Sequence, residues 1–300
     1  MLNKTIYSCI ALSLISSITL GVSSANAMEI TVTPPRFELD INAKQSRSNS
    51  IKITNLSDKP LEMKAYVRNW MMDENNTLKD APSSEQSLDQ WIVFTPSRFT
   101  IPPRGTQSVR FAIRPKIKPS GGEYRAVVYL EEAANKVRNS ENIKTVGRVG
   151  IVVYGYAGDV KRVGTVNSVN IDSKPSLTKA VFDISNQGTA YVRMGGQYAI
   201  WRAANYPGAK TTQPIAGAGN PKTKLPANVI QVGKIELPPV LPSNRRQLIL
   251  PLAEKLPPGN YVLDINGDLS GMAVDKGIPF TVPANSASQP IPKTINLSTK

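Results

Sequence analysis

Short segments in which apolar and polar residues alternate recur along the chain. Val109, Phe111 and Ile113 do so in "SVRFAIRP", Tyr124, Ala126, Val128 and Leu130 in "EYRAVVYLEE", and Tyr261, Leu263 and Ile265 in "NYVLDIN". A period of two sends one set of side chains to each face of an extended chain, so these segments are predicted to be half-buried β-strands. Proline and glycine bound them, as in "IPPRG", "KPSGG" and "LPPGN", at intervals that suit a β-sandwich rather than βαβ units. No segment sustains a helical period.

The pattern also repeats at long range. "IPPRGTQSVRFAIRPKIKPSGGEYRAVVYLE" and "VLPSNRRQLILPLAEKLPPGNYVLDING" both read as proline turn, basic strand, second proline turn, Gly-x-Tyr, strand. Upstream of each lies a strand that ends in an asparagine, Asn55 or Asn186, before a short polar turn. Two copies of one sandwich unit are therefore expected, with a boundary in "YGYAGDVKRVG": one domain over 28–157, a second over 158–282, and a flexible tail over 283–300. The Gly/Pro/Ala-rich stretch 203–228 is expected to be an exposed loop. Tyr124 and Tyr261 have the placement of a tyrosine corner, and simple core tyrosines explain them equally well.

The first 27 residues change the picture of where this protein works. They carry one cation, Lys4, an apolar stretch from Ile6 to Val22, and the ending Ala25-Asn26-Ala27, the pattern of a cleaved secretory signal. Serine and threonine interrupt the apolar run, so stable membrane insertion is not expected. The single cysteine, Cys9, lies within this leader, and the chain has no histidine. Beyond Ala27 the chain thus lacks disulfides, a thiol nucleophile, an imidazole base and the commonest zinc ligands. No cofactor and no metal are expected, and an enzyme is not.

Net charge is +14, which points to a partner that is acidic or carries a carboxylate. The basic residues are scattered along strands with no aromatic platform and no recognition helix, so nucleic acid is not the expected partner. Two stretches imitate ligand loops. "DINGDLSGMAVD" spaces Asp264, Asn266, Asp268, Ser270 and Asp275 like a calcium loop, but Leu269 stands where the sharp turn needs glycine, and a turn between two strands is the expectation. "AGAGNPKTK" lacks the Gly-Lys-Ser/Thr order of a phosphate loop. Glu131 and Glu132, adjacent in a strand, point to opposite faces and do not form a catalytic pair.

An exported, basic sandwich pair whose first strand runs into "TPPRFELDI", followed in order by "SIKITNLSDKPLEMKAYVRNW", "FTIPPRGTQSVRFAIRP" and "GGEYRAVVYLEE", resembles the periplasmic chaperones of the chaperone–usher pilus pathway, the PapD-like family. The resemblance implies an all-β fold of two tandem immunoglobulin-like domains in an L. It implies a periplasmic chaperone that caps pilus or fimbrial subunits by lending them a strand and delivers them to an outer-membrane usher. The alternative is a secreted two-domain sandwich acting as a structural or adhesive module without strand donation. Whether the free protein self-caps as a homodimer is left open.

The resemblance also assigns residues. The donor strand falls on "NIKTVGRVGIVVYGY", after a polar loop over 132–141, with Ile143, Lys144, Val146 and Val149 in its donor stretch. Ile143 and Val146 are the outward donors, and Val149, Ile151 and Val153 read more as core of the first domain; Gly147 and Gly150 are expected to weaken the strand and to mark a bulge. Arg36 matches a cation on the family's first strand that binds the subunit's C-terminal carboxylate, a role that a guanidinium suits. The family's second clamp residue, a lysine on the donor strand, aligns with Ile151, so Arg148 ranks first and Arg110 second as its replacement. Glu123 matches an acid that braces the two domains. Its arginine partner aligns with Gly155, leaving Lys161, Arg162, Arg148 or plain solvent exposure as the options.

Overall fold

The computed structural model describes residues 28–41, 48–133, 146–174, 177–253 and 256–284. Ten strands precede Gly158: β1 (Ile30–Thr33), β2 (Arg36–Asp40), β3 (Asn49–Asn55), β4 (Leu61–Met72), β5 (Leu78–Ala81), β6 (Ile92–Thr95), β7 (Arg98–Ile101), β8 (Thr106–Ile113), β9 (Gly122–Glu132) and β10 (Arg148–Ala157). Seven come after it: β11 (Gly164–Lys174), β12 (Leu177–Asn186), β13 (Met194–Arg202), β14 (Val229–Glu236), β15 (Arg245–Ala253), β16 (Gly259–Leu269) and β17 (Met272–Val282). The only helical pieces among the described residues are two three-residue 3₁₀ turns. The signal segment, Ile143, Lys144 and all but the first two residues of the tail lie outside the described residues.

The strands form two sandwiches, and no sheet mixes strands from before Ala157 with strands from after Gly164. In the first, β1-β3-β8-β6 faces β2-β10-β9-β4-β5, with β7 sharing the far edge of β4. In the second, β11-β12-β15 faces β14-β13-β16-β17. The chain is all-β with two tandem immunoglobulin-like sandwiches. Its opening strand belongs to both sheets of the first: β1 pairs antiparallel with β3, and after Pro34 and Pro35 the chain crosses over so that β2 pairs parallel with β10. Proline offers no N–H to a ladder, which ends the first pairing where the crossing begins.

The predicted alternation is realised in the cores. Ile51, Ile53, Val109 and Phe111 face Ala126, Val128, Leu130, Ile151 and Val153 in the first sandwich. Phe182, Ile184, Leu248 and Leu250 face Tyr198, Ile200, Leu263 and Ile265 in the second. In β9 the expectation of a half-buried strand fails. Val127 and Tyr129, on its outer face, are also buried, in a cluster with Trp70, Met72 and Tyr154 that Tyr191 and Leu241 of the second sandwich complete.

The long-range echo is visible atom by atom. Asn55 and Asn186 end their strands buried, and each donates from Nδ2 to the carbonyl four residues on, Lys59 at 2.7 Å and Ala190 at 2.9 Å. Each accepts at Oδ1 from the N–H two residues on, Ser57 at 3.0 Å and Gly188 at 2.8 Å. Tyr124 and Tyr261 are both tyrosine corners, donating to carbonyls four residues upstream, Ser120 at 2.9 Å and Pro257 at 2.8 Å.

The two ligand-like stretches are structural. "DINGDLSGMAVD" is the β16–β17 hairpin, turned by Ser270 at φ 51° and Gly271 at φ 101°. The 203–228 stretch is pinned over the outer face of the β14-β13-β16-β17 sheet, where Tyr206 donates to buried Asp264 at 2.7 Å and Ile215 N–H donates to Gln197 at 3.0 Å. It is exposed along most of its length, as expected, and these contacts hold it to the sheet.

Candidate functional site

The outward face of β10 and its neighbours gathers most of the unusual chemistry. Register places Arg148, Gly150, Val152, Tyr154 and Tyr156 of β10 beside Glu131, Tyr129, Val127, Arg125 and Glu123 of β9. On the other side, Val152, Tyr154 and Tyr156 stand beside Arg36, Glu38 and Asp40 of β2. The β2 ladder begins only at Val152. Among the described residues, Arg148–Ile151 therefore have a strand on one edge and none on the other. The Glu132 backbone N–H donates to the Gly147 carbonyl at 3.0 Å and the Ile41 N–H to the Tyr156 carbonyl at 2.9 Å. By antiparallel alternation the peptide groups of Arg148 and Gly150 point to that open edge.

Arg36 stands where the open edge meets the start of β2. Its Nε lies 3.2 Å from Glu38 Oε1, two residues along the same strand face. Glu38 collects further donors: the Tyr191 hydroxyl at 2.6 Å on the same oxygen, the Tyr156 hydroxyl at 3.0 Å on Oε2, and Arg162 at 3.5 Å. Burial alone would raise the Glu38 carboxyl, but the Tyr191 and Tyr156 hydrogen bonds and the charges of Arg36 and Arg162 outweigh it and hold the acid below its usual range. Burial pushes the Tyr191 phenol up to about 12, with the Glu38 hydrogen bond adding to it. Arg162 packs on both rings, 5.1 Å from the Tyr156 centroid and 5.5 Å from that of Tyr191.

The residues expected at the site fare differently. Arg36 is at the joint between the sandwiches, as is Glu123, whose side chain is fully buried with Arg125 Nη1 at 3.0 Å and the Tyr191 N–H at 2.7 Å. None of Lys161, Arg162 or Arg148 pairs with it directly, because Arg125, two residues along the same face, lies closer. Burial raises the Glu123 carboxyl against those partners.

Arg148 shares the outward face with Arg36 but enters β10 four residues before Val152, about 13 Å away along the strand. It stacks 4.4 Å from the Tyr129 centroid and does not meet Arg36 over one carboxylate. Arg110 belongs to β8 in the opposite sheet, with its side chain on the solvent side between Ser50 and Thr95, so it cannot join Arg36 either. Val149 packs against the first core with Ile151 and Val153, as its reading as core anticipates, whereas Val146, just before β10, is 39% exposed.

No bulge occurs at Gly150. The β9–β10 register runs unbroken from Arg148↔Glu131 to Ala157↔Gly122. The glycine is required for another reason: a Cβ there would come within 2.9 Å of Val127 Cγ2 and 3.1 Å of Tyr129 Cε1, which fold over the strand. Glu38, Tyr156 and Tyr191 were not singled out as site residues in the sequence. Glu38 carried one signal, its alternation with Arg36 in "RFELD"; Tyr191 carried none. Among the described residues no group of three or more His, Cys, Asp or Glu could hold a metal ion, and no helix is long and apolar enough to cross a membrane.

No protein family described by a sequence profile matches the chain, and no curated protein does. Among solved structures of similar fold is the class 5 fimbriae chaperone CfaA, at 13% identity and a TM-score of 0.39, covering 85% of this chain and all of that one. Another is the YadV chaperone, at 11% identity and 0.42, covering 84% of this chain and all of that one. A third is a chain of the CsuC–CsuE chaperone–tip adhesion subunit pre-assembly complex from archaic chaperone–usher Csu pili of Acinetobacter baumannii, at 12% identity and 0.41, covering 84% of this chain and 97% of that one.

Proposed function

We propose that the protein is a periplasmic chaperone for pilus or fimbria-like subunits, which it caps by strand addition at β10 and hands to an outer-membrane usher. The observation that carries the reading is the position of Arg36 relative to the open edge. A chain added there parallel to β10 would run collinear with β2 and stop where β2 begins, so that its C-terminal carboxylate would arrive at the Arg36 guanidinium. Backbone pairing along Arg148–Ile151 would supply affinity, and the carboxylate contact would set register. Ile143, Lys144 and Val146 would extend the donor strand beyond the described part of β10, and Glu123 would brace the two sandwiches. The same edge offers a second copy of the chain a place to pair when no subunit is present. This reading needs neither catalysis nor a cofactor.

The test is periplasmic co-expression with a subunit encoded beside this gene. Arg36→Ala should lower recovery of the subunit and of the complex while the chaperone itself accumulates normally. Arg148→Pro, which removes one N–H from the open edge at a strand's first residue, should do the same. Unchanged subunit recovery in both variants would rule the reading out.

A further inference from the structure

We propose that Glu38 is a built-in competitor for the carboxylate site at Arg36, and that Tyr191 of the second sandwich sets how readily Glu38 lets go. The inference rests on the reading of Arg36 as a carboxylate anchor. In the free protein the Arg36 guanidinium is occupied by an acid two residues along its own strand, at 3.2 Å. Glu38 is the one ion-pair partner of Arg36 among the described residues, and the Arg36 side chain is 43% exposed, so it can reorient. Glu38 does not depend on Arg36 in return. It keeps Tyr191 at 2.6 Å, Tyr156 at 3.0 Å and Arg162 at 3.5 Å if Arg36 leaves.

An arriving carboxylate therefore exchanges with Glu38 on Arg36, and the displaced acid remains hydrogen-bonded in place. Its retained charge repels the newcomer, so measured affinity is the difference between what Arg36 gains and what Glu38 takes back. Tyr191 favours release because it donates to the very oxygen that Arg36 contacts. The second sandwich is in this way a specificity element for a site whose cation belongs to the first.

Two substitutions should act in opposite directions, which a purely structural role for Glu38 would not produce. The probe is a fluorescein-labelled ten-residue peptide of alternating threonine and valine, made with a free C-terminal carboxylate and as the C-terminal amide. The quantity read is the ratio of the two affinities. Glu38→Gln should raise it about two- to fivefold, the range for one partly exposed charge pair. Tyr191→Phe should lower it. A ratio that is unchanged or reduced in Glu38→Gln overturns the competitor role, and if wild type still prefers the acid and Arg36→Ala loses that preference, the anchor reading survives. Equal wild-type affinity for acid and amide instead overturns the anchor reading itself. Acetate titrated against the Arg36 Nε–H NMR resonance gives the same comparison without a peptide, and a midpoint that does not fall in Glu38→Gln likewise overturns the proposal.

Discussion

The Tyr191 hydroxyl donates to Glu38 Oε1 at 2.6 Å, a bond between residues 153 positions apart that ties β2 of one sandwich to a loop of the other. The same tyrosine gives its backbone N–H to Glu123, and its ring lies 4.5 Å from that of Tyr154. One residue thus meets β2, β9 and β10 together. Tyr191→Phe should cost roughly 1 kcal/mol, since the acceptor is charged but partly open to water. Thermal unfolding checks this, and because the backbone contact to Glu123 survives in Phe, a loss several times larger would mean that the ring has moved as well.

Two acids at this joint should report pH with opposite signs. Glu123 is raised above its ordinary value near 4.5, mainly by burial. The stability tied to its protonated form is present below the unfolded-state value and is lost as pH rises through the folded one. Glu38 is lowered: burial opposes this, but the Tyr191 and Tyr156 donors and two arginines prevail. Its stability is present above the unfolded value and is lost as pH falls through the folded one. As pH rises above about 4.5, the ordinary value of both acids, Glu123→Gln should gain stability relative to wild type; as pH falls below it, Glu38→Gln should close the stability gap that separates it from wild type at higher pH. Melting temperatures that shift in the same sense for both variants would contradict the assignments.

How much of this could be read from the chain alone depends on how far apart the interacting parts lie. Alternation placed strands around Val109, Tyr124 and Tyr261 because a sandwich core imposes a period of two locally. The pairing of Asn55 with Asn186 as repeated devices was legible because each asparagine serves its own turn. The outer face of β9 was not legible, since Val127 and Tyr129 are buried in a cluster with Trp70, Met72 and Tyr154 that extends to Tyr191 and Leu241, and nothing nearby in sequence announces these partners. Gly150 was misread for a related reason: the side chains that exclude a Cβ belong to β9. Alternation put Arg110 on a solvent-facing side but could not say of which sheet, and that decided its exclusion from the site.

The two buried asparagines offer a test of the repeat. Asn55 Nδ2 reaches the carbonyls of Lys59, Ile101 and Pro102, and Asn186 Nδ2 those of Ala190 and Val240. Alanine at either position strands buried acceptors, for a cost of roughly 3 kcal/mol each. Peptide-resolved hydrogen exchange should then show Asn55→Ala loosening β3 and β8 while β12 and β15 keep their protection, and Asn186→Ala the reverse. Equal loosening of all four strands by either variant would show that the sandwiches unfold as one unit.

The pinned loop makes a separate prediction about the second sandwich. Tyr206 lies over Gly277, where a Cβ would come within 2.6 Å of the phenol oxygen, and its hydroxyl is a donor to Asp264 at 2.7 Å. Burial pushes the Asp264 carboxyl upward, and the Tyr206 bond is the largest of the contacts that offset it. Tyr206→Phe leaves the acid short of that donor, and Gly277→Ala forces the ring aside with the donor still present. Both should speed tryptic cleavage at Lys210, Lys222 and Lys224, and the first should also cost about 1–2 kcal/mol. If cleavage accelerates only in Gly277→Ala, the loop is held by the seat of the ring and not by the acid. Unchanged cleavage in both would leave its anchoring to Ile215 and Thr212, which contact Gln197 at 3.0 Å and Asn266 at 3.4 Å.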